Sequence, residues 1–300
     1  MRVKPGTALR KATADDVGLI GELLNLSNST GEYGRGYPQG DLAGLDHEFE
    51  EIDKVLIDNF YVVGEGIGVV GIFDSPWGCY LIGPVFMPEH HTVENVEFTL
   101  KAIGDMAELA GKKLELDTVE ANQAIVAAAI QTGLENTYQG VSMNYPITDN
   151  LLTVRHEIVE LEQTDQARIA AVNKIFKADL KPWQKDEHNT DELTEAIGDG
   201  DHVFAALQNG QVVGGLVWSW DEELDEGEIE YLCVAKEHQG TGFAKDLMNS
   251  ATNFVTQSFL EGKSGTWYLD TEITNTQGIE FYKHYGFTEH YRRSVFSLEL

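Results

Sequence analysis

The sequence predicts a mixed α+β protein made of two copies of one fold, each a mostly antiparallel sheet flanked by helices. Three observations predict it. A weak repeat runs through the chain, strand and helix periodicities alternate along it, and a strand runs into a glycine-containing turn that opens a helix. The repeat is clearest where L-E-L-D-T-V-E-A-N, ending at Asn122, aligns with W-Y-L-D-T-E-I-T-N, ending at Asn275. At this one offset of 153 residues Asp117 falls on Asp270, Thr118 on Thr271, Gly133 on Gly286 and Tyr138 on Tyr291. G-V-V-G-I from Gly68 resembles V-V-G-G-L from Val212 at a smaller offset. Shared spacing with shared element order favours duplication over chance likeness. The join is expected near Thr148 to His156, giving domains of residues 1–150 and 151–300.

The second half reads in order. A strand at Ile158 to Leu161 leads to a helix from Asp165 to about Phe176, with Thr164 as a helix-start signal like Thr13 in the first half. A polar loop containing Trp183 and His188 precedes a short helix near Glu192 to Ile197. His202 to Leu207 and Gln211 to Trp220 form a hairpin about the Asn209-Gly210 turn. D-E-E-L-D-E-G-E is an acidic turn, and E-I-E-Y-L-C-V a buried strand. Phe243, Leu247, Met248, Ala251, Phe254 and Val255 recur at helical spacing from about Gly242. Trp267 to Asp270 is a strand, Thr276 to Tyr285 a helix ended by Gly286, and Tyr291 to Leu298 a final strand.

Composition narrows function. Of 300 residues, 21 are Lys or Arg and 50 Asp or Glu, a formal net charge of −29. Such a field repels phosphate backbones and anionic lipid and attracts amines, so no nucleic-acid or membrane partner is expected. The two cysteines, Cys79 and Cys233, fit neither a disulfide framework nor a zinc site. His90-His91 lacks the spacing of a helical ligand pair, and no metal is expected. Without a signal-like apolar segment, the expected location is cytoplasmic.

Chemistry concentrates in Glu228 to Ala244. At a turn between strand and helix, successive N–H groups and the helix dipole suit a pyrophosphate, with Gly240 and Gly242 admitting close approach. Q-G-T-G-F-A, Gln239 to Ala244, resembles the Q/R-x-x-G-x-G/A acyl-CoA loop of the GNAT superfamily of N-acetyltransferases. N-x-x-x-x-x-x-Y-x-x-x-G-F, from Asn275 through Tyr282 to Phe287, is similar to that family's second motif. The resemblance implies two tandem acyl-CoA N-acyltransferase folds, with acetyl-CoA as co-substrate and a working site in the second half.

It also implies roles. Gln239, Gly240, Thr241, Gly242, Phe243 and Ala244 would hold the cofactor's phosphates, and backbone groups of Cys233 and Val234 its pantetheine arm. Asn275 would contact the cofactor or cap its helix, and the two are compatible. Tyr282 sits where the family has its general acid: a phenol, with a reference pKa of ~10 against ~8.5 for a thiol, can protonate a departing thiolate. A carboxylate must help deprotonate the amine. Glu228 and Glu230, two apart on one strand, are the candidates, Glu230 preferred. Trp183 lies where the family recognises its acceptor. Cys233, with no histidine partner in view, is read as packing and not as an acyl carrier.

The first half lacks these features. The offset places Ala129 at the position of Tyr282, and P-E-H-H-T-V-E-N, Pro88 to Asn95, replaces the glycine turn. It is expected to be a degenerate copy, structural or forming one wall of the acceptor pocket. The glycine-rich stretch Asn28 to Gly40 is read as a surface loop. The expected function is transfer of acetyl to a primary amine on a small cationic molecule, by direct attack in a ternary complex. The alternative is a non-catalytic acyl-CoA-binding or sensing protein.

Overall fold

The computed structural model describes residues 9–30, 56–75, 78–106, 109–179, 190–260 and 262–300. The chain forms two compact units, Met1–Val141 with Tyr291–Leu300, and Ser142–His290.

In the first unit, β1 (Leu9–Lys11), α1 (Val17–Thr30), β2 (Phe60–Val63), β3 (Gly68–Ser75), β4 (Gly78–Phe86), α2 (Val93–Gly104), β5 (Lys113–Val119) and α3 (Gln123–Gln131) follow one another. β6 (Glu135–Ile147) then begins in this unit. Strands β1 to β4 pair antiparallel, and β4 pairs parallel with β5. Period-two alternation sorts their side chains to two faces. Phe60 and Val62 pack with Ile20, Leu23 and Leu24 of α1, whereas Val63 and Val70 pack with Val96, Leu100 and Ile103 of α2.

The second unit repeats the order. It holds β7 (Glu157–Glu160), α4 (Gln166–Asp179), α5 (Thr190–Asp199), β8 (His202–Gln208), β9 (Gln211–Asp221), β10 (Glu226–Val234), α6 (Phe243–Val255), β11 (Gly265–Glu272) and α7 (Thr276–Tyr285). β12 (Thr288–Glu299) follows. Strands β7 to β10 are antiparallel, and β10 is parallel to β11. The β8–β9 turn is set by Asn209 and Gly210, both at positive φ (52° and 78°). On one face Ile169, Val172 and Phe176 of α4 cover Val203, Ala205 and Val217. Trp218 meets Phe254 of α6 and Trp267 of β11 edge-on, at 5.6 and 5.3 Å.

The repeat at 153 residues has a structural counterpart. Asn122 and Asn275 each cap a helix by accepting from the N–H three residues on, at 3.2 and 3.0 Å. Gly133 and Gly286 follow those two helices at φ of 88° and 125°. The first threonine start signal caps as expected: Thr13 is the N-cap of a 3-10 turn, Ala14–Asp16, in a capping box with Asp16. The Asp16 carboxylate accepts both the N–H and the hydroxyl of Thr13, so the acid satisfies that turn. After Thr164, it is Asp165 whose carbonyl and carboxylate accept at the start of α4.

Division into compact units departs from a boundary at residue 150. From Tyr291 onward β12 belongs to the first unit, where it pairs antiparallel with β5 from Arg293↔Val119 to Glu299↔Lys113. Phe296, 1% exposed, lies in that unit's core, and Arg293 binds Asp117 at 2.8 Å. Conversely, residues Ser142 to Ile147 of β6 belong to the second unit. There Tyr145 packs on Tyr285 and Phe287 with ring centroids 5.1 and 5.3 Å apart, and Asn144 accepts the Thr288 hydroxyl at 2.8 Å. The sequence marked Tyr291 to Leu298 as a strand, but alternation carries no information about partner strands. Phe296→Ala is expected to cost about 3–5 kcal/mol. Hydrogen exchange should place the lost protection in β5, far from residue 296 in sequence; loss confined to residues 157–290 would contradict this placement.

Candidate active site

The site is built on β10. Its register with β9 slips between Ile229 and Tyr231, so Glu230 sits at a bulge, a device that re-aims a side chain. The parallel register with β11 covers only Glu226–Glu228 against Thr266–Tyr268, while that with β9 continues to Val234. Tyr231 to Val234 thus lie beyond the β11 register, beside the point where the strand delivers Glu230.

Glu228 and Glu230 are both open to solvent and the intervening Ile229 is buried, which keeps the two acids on one side. Glu230 is nevertheless crowded by protein. Desolvation, followed by the charges of Asp201 and Glu228, pushes its carboxyl up to about 7, against the opposing hydrogen bond from Ser219. Asp201 is itself raised, first by burial and then by Asp199. Two other carboxylates therefore act on Glu230, and its carboxyl titrates near neutral pH.

Tyr282 of α7 is 8% exposed. Burial and then the electrostatic influence of Cys233 raise its phenol, so it is protonated at every ordinary pH. Its neighbour Tyr285 braces the packing between helix and sheet. The Tyr285 and Thr252 hydroxyls lie 3.3 Å apart, and Thr252 accepts from Trp267 Nε1 at 3.1 Å.

The turn between β10 and α6 contains a 3-10 turn, Lys236–His238, then Gln239, Gly240, Thr241 and the N-cap Gly242. Gly240 and Gly242 take φ of 75° and 101°, the left-handed region that suits glycine. Side chains here serve the protein itself. Gln239 donates to Val234 O at 3.0 Å and accepts from Gln277 at 3.3 Å, Thr241 donates to His238 O at 2.5 Å, and Phe243 is 2% exposed. The backbone does not. Among the described residues the N–H groups from Gly240 to Lys245 donate to nothing, and Asp246 N–H is the first to bond, to Gly242 O at 3.0 Å. A Cβ at Gly240 would meet no atom within 4 Å. Consecutive donors at a helix N-terminus, with open space before them, fit a pyrophosphate.

Gln239 and Asn275 also make hydrogen bonds within the protein. Asn275 spends Oδ1 on the Gly278 N–H and Nδ2 on the Thr271 hydroxyl at 3.0 Å, so its observed role is the cap. Gln239 buttresses the turn. Trp183 lies outside the described residues, as do Asn28 to Gly40 from Gly31 onward.

Residues 169–287 match the family model described as "Acetyltransferase (GNAT) family". That match spans most of the second half, which is therefore similar to a GNAT domain. GNAT folds in general bind acyl-CoA. No curated protein matches the chain. Among solved structures, a GCN5-related N-acetyltransferase from Sphaerobacter thermophilus is similar over 97% of this chain and 95% of its own, with 13% identity and a TM-score of 0.66. A tandem GNAT protein from the clavulanic acid biosynthesis pathway is similar over 97% of both chains, with 14% identity and a TM-score of 0.59. These likenesses show the fold: a tandem GNAT architecture spanning nearly the whole chain.

The corresponding turn of the first unit is built differently. Between its 3-10 turn, Pro88–His90, and the N-cap Thr92 there is only His91. Thr92 accepts the Asn95 N–H at 3.3 Å, and His91 Nε2 bonds Asn122 Oδ1 at 2.8 Å. The Thr92 hydroxyl and backbone carbonyls thus take the N–H groups of Asn95, His91 and Thr92 at this turn.

One pair escaped sequence reasoning. His156, in the segment before β7, places Nδ1 at 2.7 Å from Asp246 Oδ2 in the first turn of α6. Arg155 and His156 N–H donate to the same oxygen, each at 2.9 Å. Asp246 was legible only as one more helix acid, because its partner lies 90 residues away. Among the described residues no group of three or more His, Cys, Asp or Glu is placed to hold a metal, and no helix is long and apolar enough to cross a membrane.

Proposed function

We propose that the second unit transfers an acetyl group from acetyl-CoA to a primary amine, with Glu230 as general base and Tyr282 as general acid. The observation that carries this reading is Glu230 at the β10 bulge, with a carboxyl near 7. A base of that strength accepts a proton at neutral pH and still gives it up to solvent. When bound, acetyl-CoA supplies a thioester carbonyl open to attack.

This chain's residues do the rest. Gly240 to Lys245 N–H groups hold the phosphates, and β10 from Tyr231 to Val234 lies alongside the arm that carries the thioester. Glu228, Glu230 and Asp201 draw a protonated amine inward. Glu230 takes its proton, leaving a nitrogen lone pair to form the new C–N bond as the C–S bond breaks. Tyr282 gives its proton to the departing sulfur, and the acetylated nitrogen sheds its remaining extra proton, which restores the Tyr282 phenol. The same three acids, with the net charge of −29, favour a small cationic acceptor. The filled turn of the first unit supports its reading as a degenerate copy, without acyl-CoA at that position.

Thiol release from acetyl-CoA across a panel of polyamines, aminoglycosides and amino acids tests the reaction. Tyr282→Phe should lower kcat by about a hundredfold while leaving acetyl-CoA affinity within about twofold. Unchanged turnover would remove Tyr282 from the mechanism. Saturable acetyl-CoA binding by the native protein with no turnover on any amine would favour the sensing alternative.

A further inference from the structure

The imidazole of His156 lies against the start of α6. It stacks on Phe243, the helix's first residue, with ring centroids 4.0 Å apart. Its Cε1 lies 3.5 Å from where a Cβ on Gly242 would stand. Cε1 is bonded to both ring nitrogens. One of them, Nδ1, is committed to Asp246; the other, Nε2, is therefore one bond from the atom that faces the N-cap, and the side chain is 29% exposed.

Asp246 fixes the tautomer. Burial alone would raise this carboxyl, whose side chain is 6% exposed, but the N–H groups of Arg155 and His156 and the His156 ring outweigh it and hold it below its ordinary value. An ionised Asp246 keeps a proton on Nδ1. Nε2 then carries a lone pair in the neutral ring and an N–H in the imidazolium.

Resting on the acyl-CoA reading above, we infer that His156 binds the cofactor's pyrophosphate. Nε2–H donates to a phosphate oxygen seated on the Gly240–Lys245 turn, and the ring takes up a proton as the ligand binds. The charge-assisted bond adds one cation to a turn in a strongly acidic protein, and Asp246 balances it from the opposite edge. Other titratable or charged groups on the segments around the ring are Lys245 of α6, His238, Lys236 and Glu237 of the turn, and Arg155 and Glu157 beside it. Among these, His238 approaches the same Phe243, with ring centroids 6.1 Å apart.

Calorimetry on the full chain tests the inference with 3′-dephospho-CoA and CoA at pH 8. Each titration is run in two buffers of different ionisation enthalpy, so that the difference reports proton uptake. His156→Asn is the informative variant, because its amide still donates to Asp246 but leaves nothing at Nε2. It should bind both ligands about tenfold more weakly and lose the proton uptake seen in the native protein, with an unchanged melting temperature. Equal affinity, or uptake that persists in the variant and so belongs to a group such as His238, would overturn the inference and leave the acyl-CoA reading standing. A loss confined to CoA would move the contact to the 3′-phosphate and overturn it as well. If the native protein binds neither ligand, the acyl-CoA reading fails, and the inference with it.

Discussion

Glu230→Gln should cut kcat/KM for amine acetylation by about 10²–10⁴-fold and leave acetyl-CoA affinity unchanged. Glutamine keeps the shape and the hydrogen bonding with Ser219 but cannot accept the amine's proton. In the native protein kcat/KM should rise with pH through about 7, as Glu230 ionises. In the variant that limb disappears. A variant that keeps the native pH limb would show that another group is the base, with Glu228 the first to try.

The same residue makes a second, independent claim on stability. Its folded-state carboxyl is raised to about 7 from 4.5, so the folded chain holds the proton more tightly than the unfolded chain does. That contribution is fully present below pH 4.5 and is lost as pH rises through about 7. Above neutrality the ionised acid is a burden that glutamine does not carry. Glu230→Gln should therefore melt higher than the native protein at pH 8, and the gap should shrink as pH falls. Equal melting temperatures at pH 8 would argue that Glu230 is an ordinary surface acid.

Gly242→Glu should abolish binding of acetyl-CoA. At φ of 101° a residue with a Cβ carries roughly 1–2 kcal/mol of strain. The new carboxylate also sits at the helix N-terminus that the pyrophosphate needs. Gly242→Ala separates the two effects, since it adds the strain without the charge. Calorimetric titration of the native chain should give one site. Two sites, or one that survives Gly242→Glu, would place acyl-CoA in the first unit despite the His91–Asn122 bond.

Much of this architecture was legible because it is local. Asn275, ten residues of helix and Gly286 mark both ends of α7, and the structure places the helix at Thr276–Tyr285. Asn209-Gly210 fixed a hairpin, and the glycines at positions 240 and 242 marked the turn that opens α6. Long-range pairing was not legible. Nothing in Y-R-R-S-V-F-S-L says that it completes the sheet of the first unit, because alternation specifies a face and not a neighbour. Glu230 could be named but not separated from Glu228, since the bulge and the approach of Asp201 arise only when β8, β9 and β10 are side by side. Asn275 was legible as a helix cap, whereas the bond from the Gln239 amide to Val234 O was not. A motif records which residues recur, not which atoms of them face the ligand.

The exchanged strand ends also bear on the order of synthesis. The second unit, Ser142–His290, is one unbroken stretch and can close as soon as it has left the ribosome. The first unit is made earlier but lacks Phe296 and the β12 partner of β5 until Tyr291–Leu300 emerge. The unit whose synthesis starts first is thus the later one to finish folding. A premature stop just before Tyr291 would injure the sheet made of the earliest residues and leave the Glu230 site assembled.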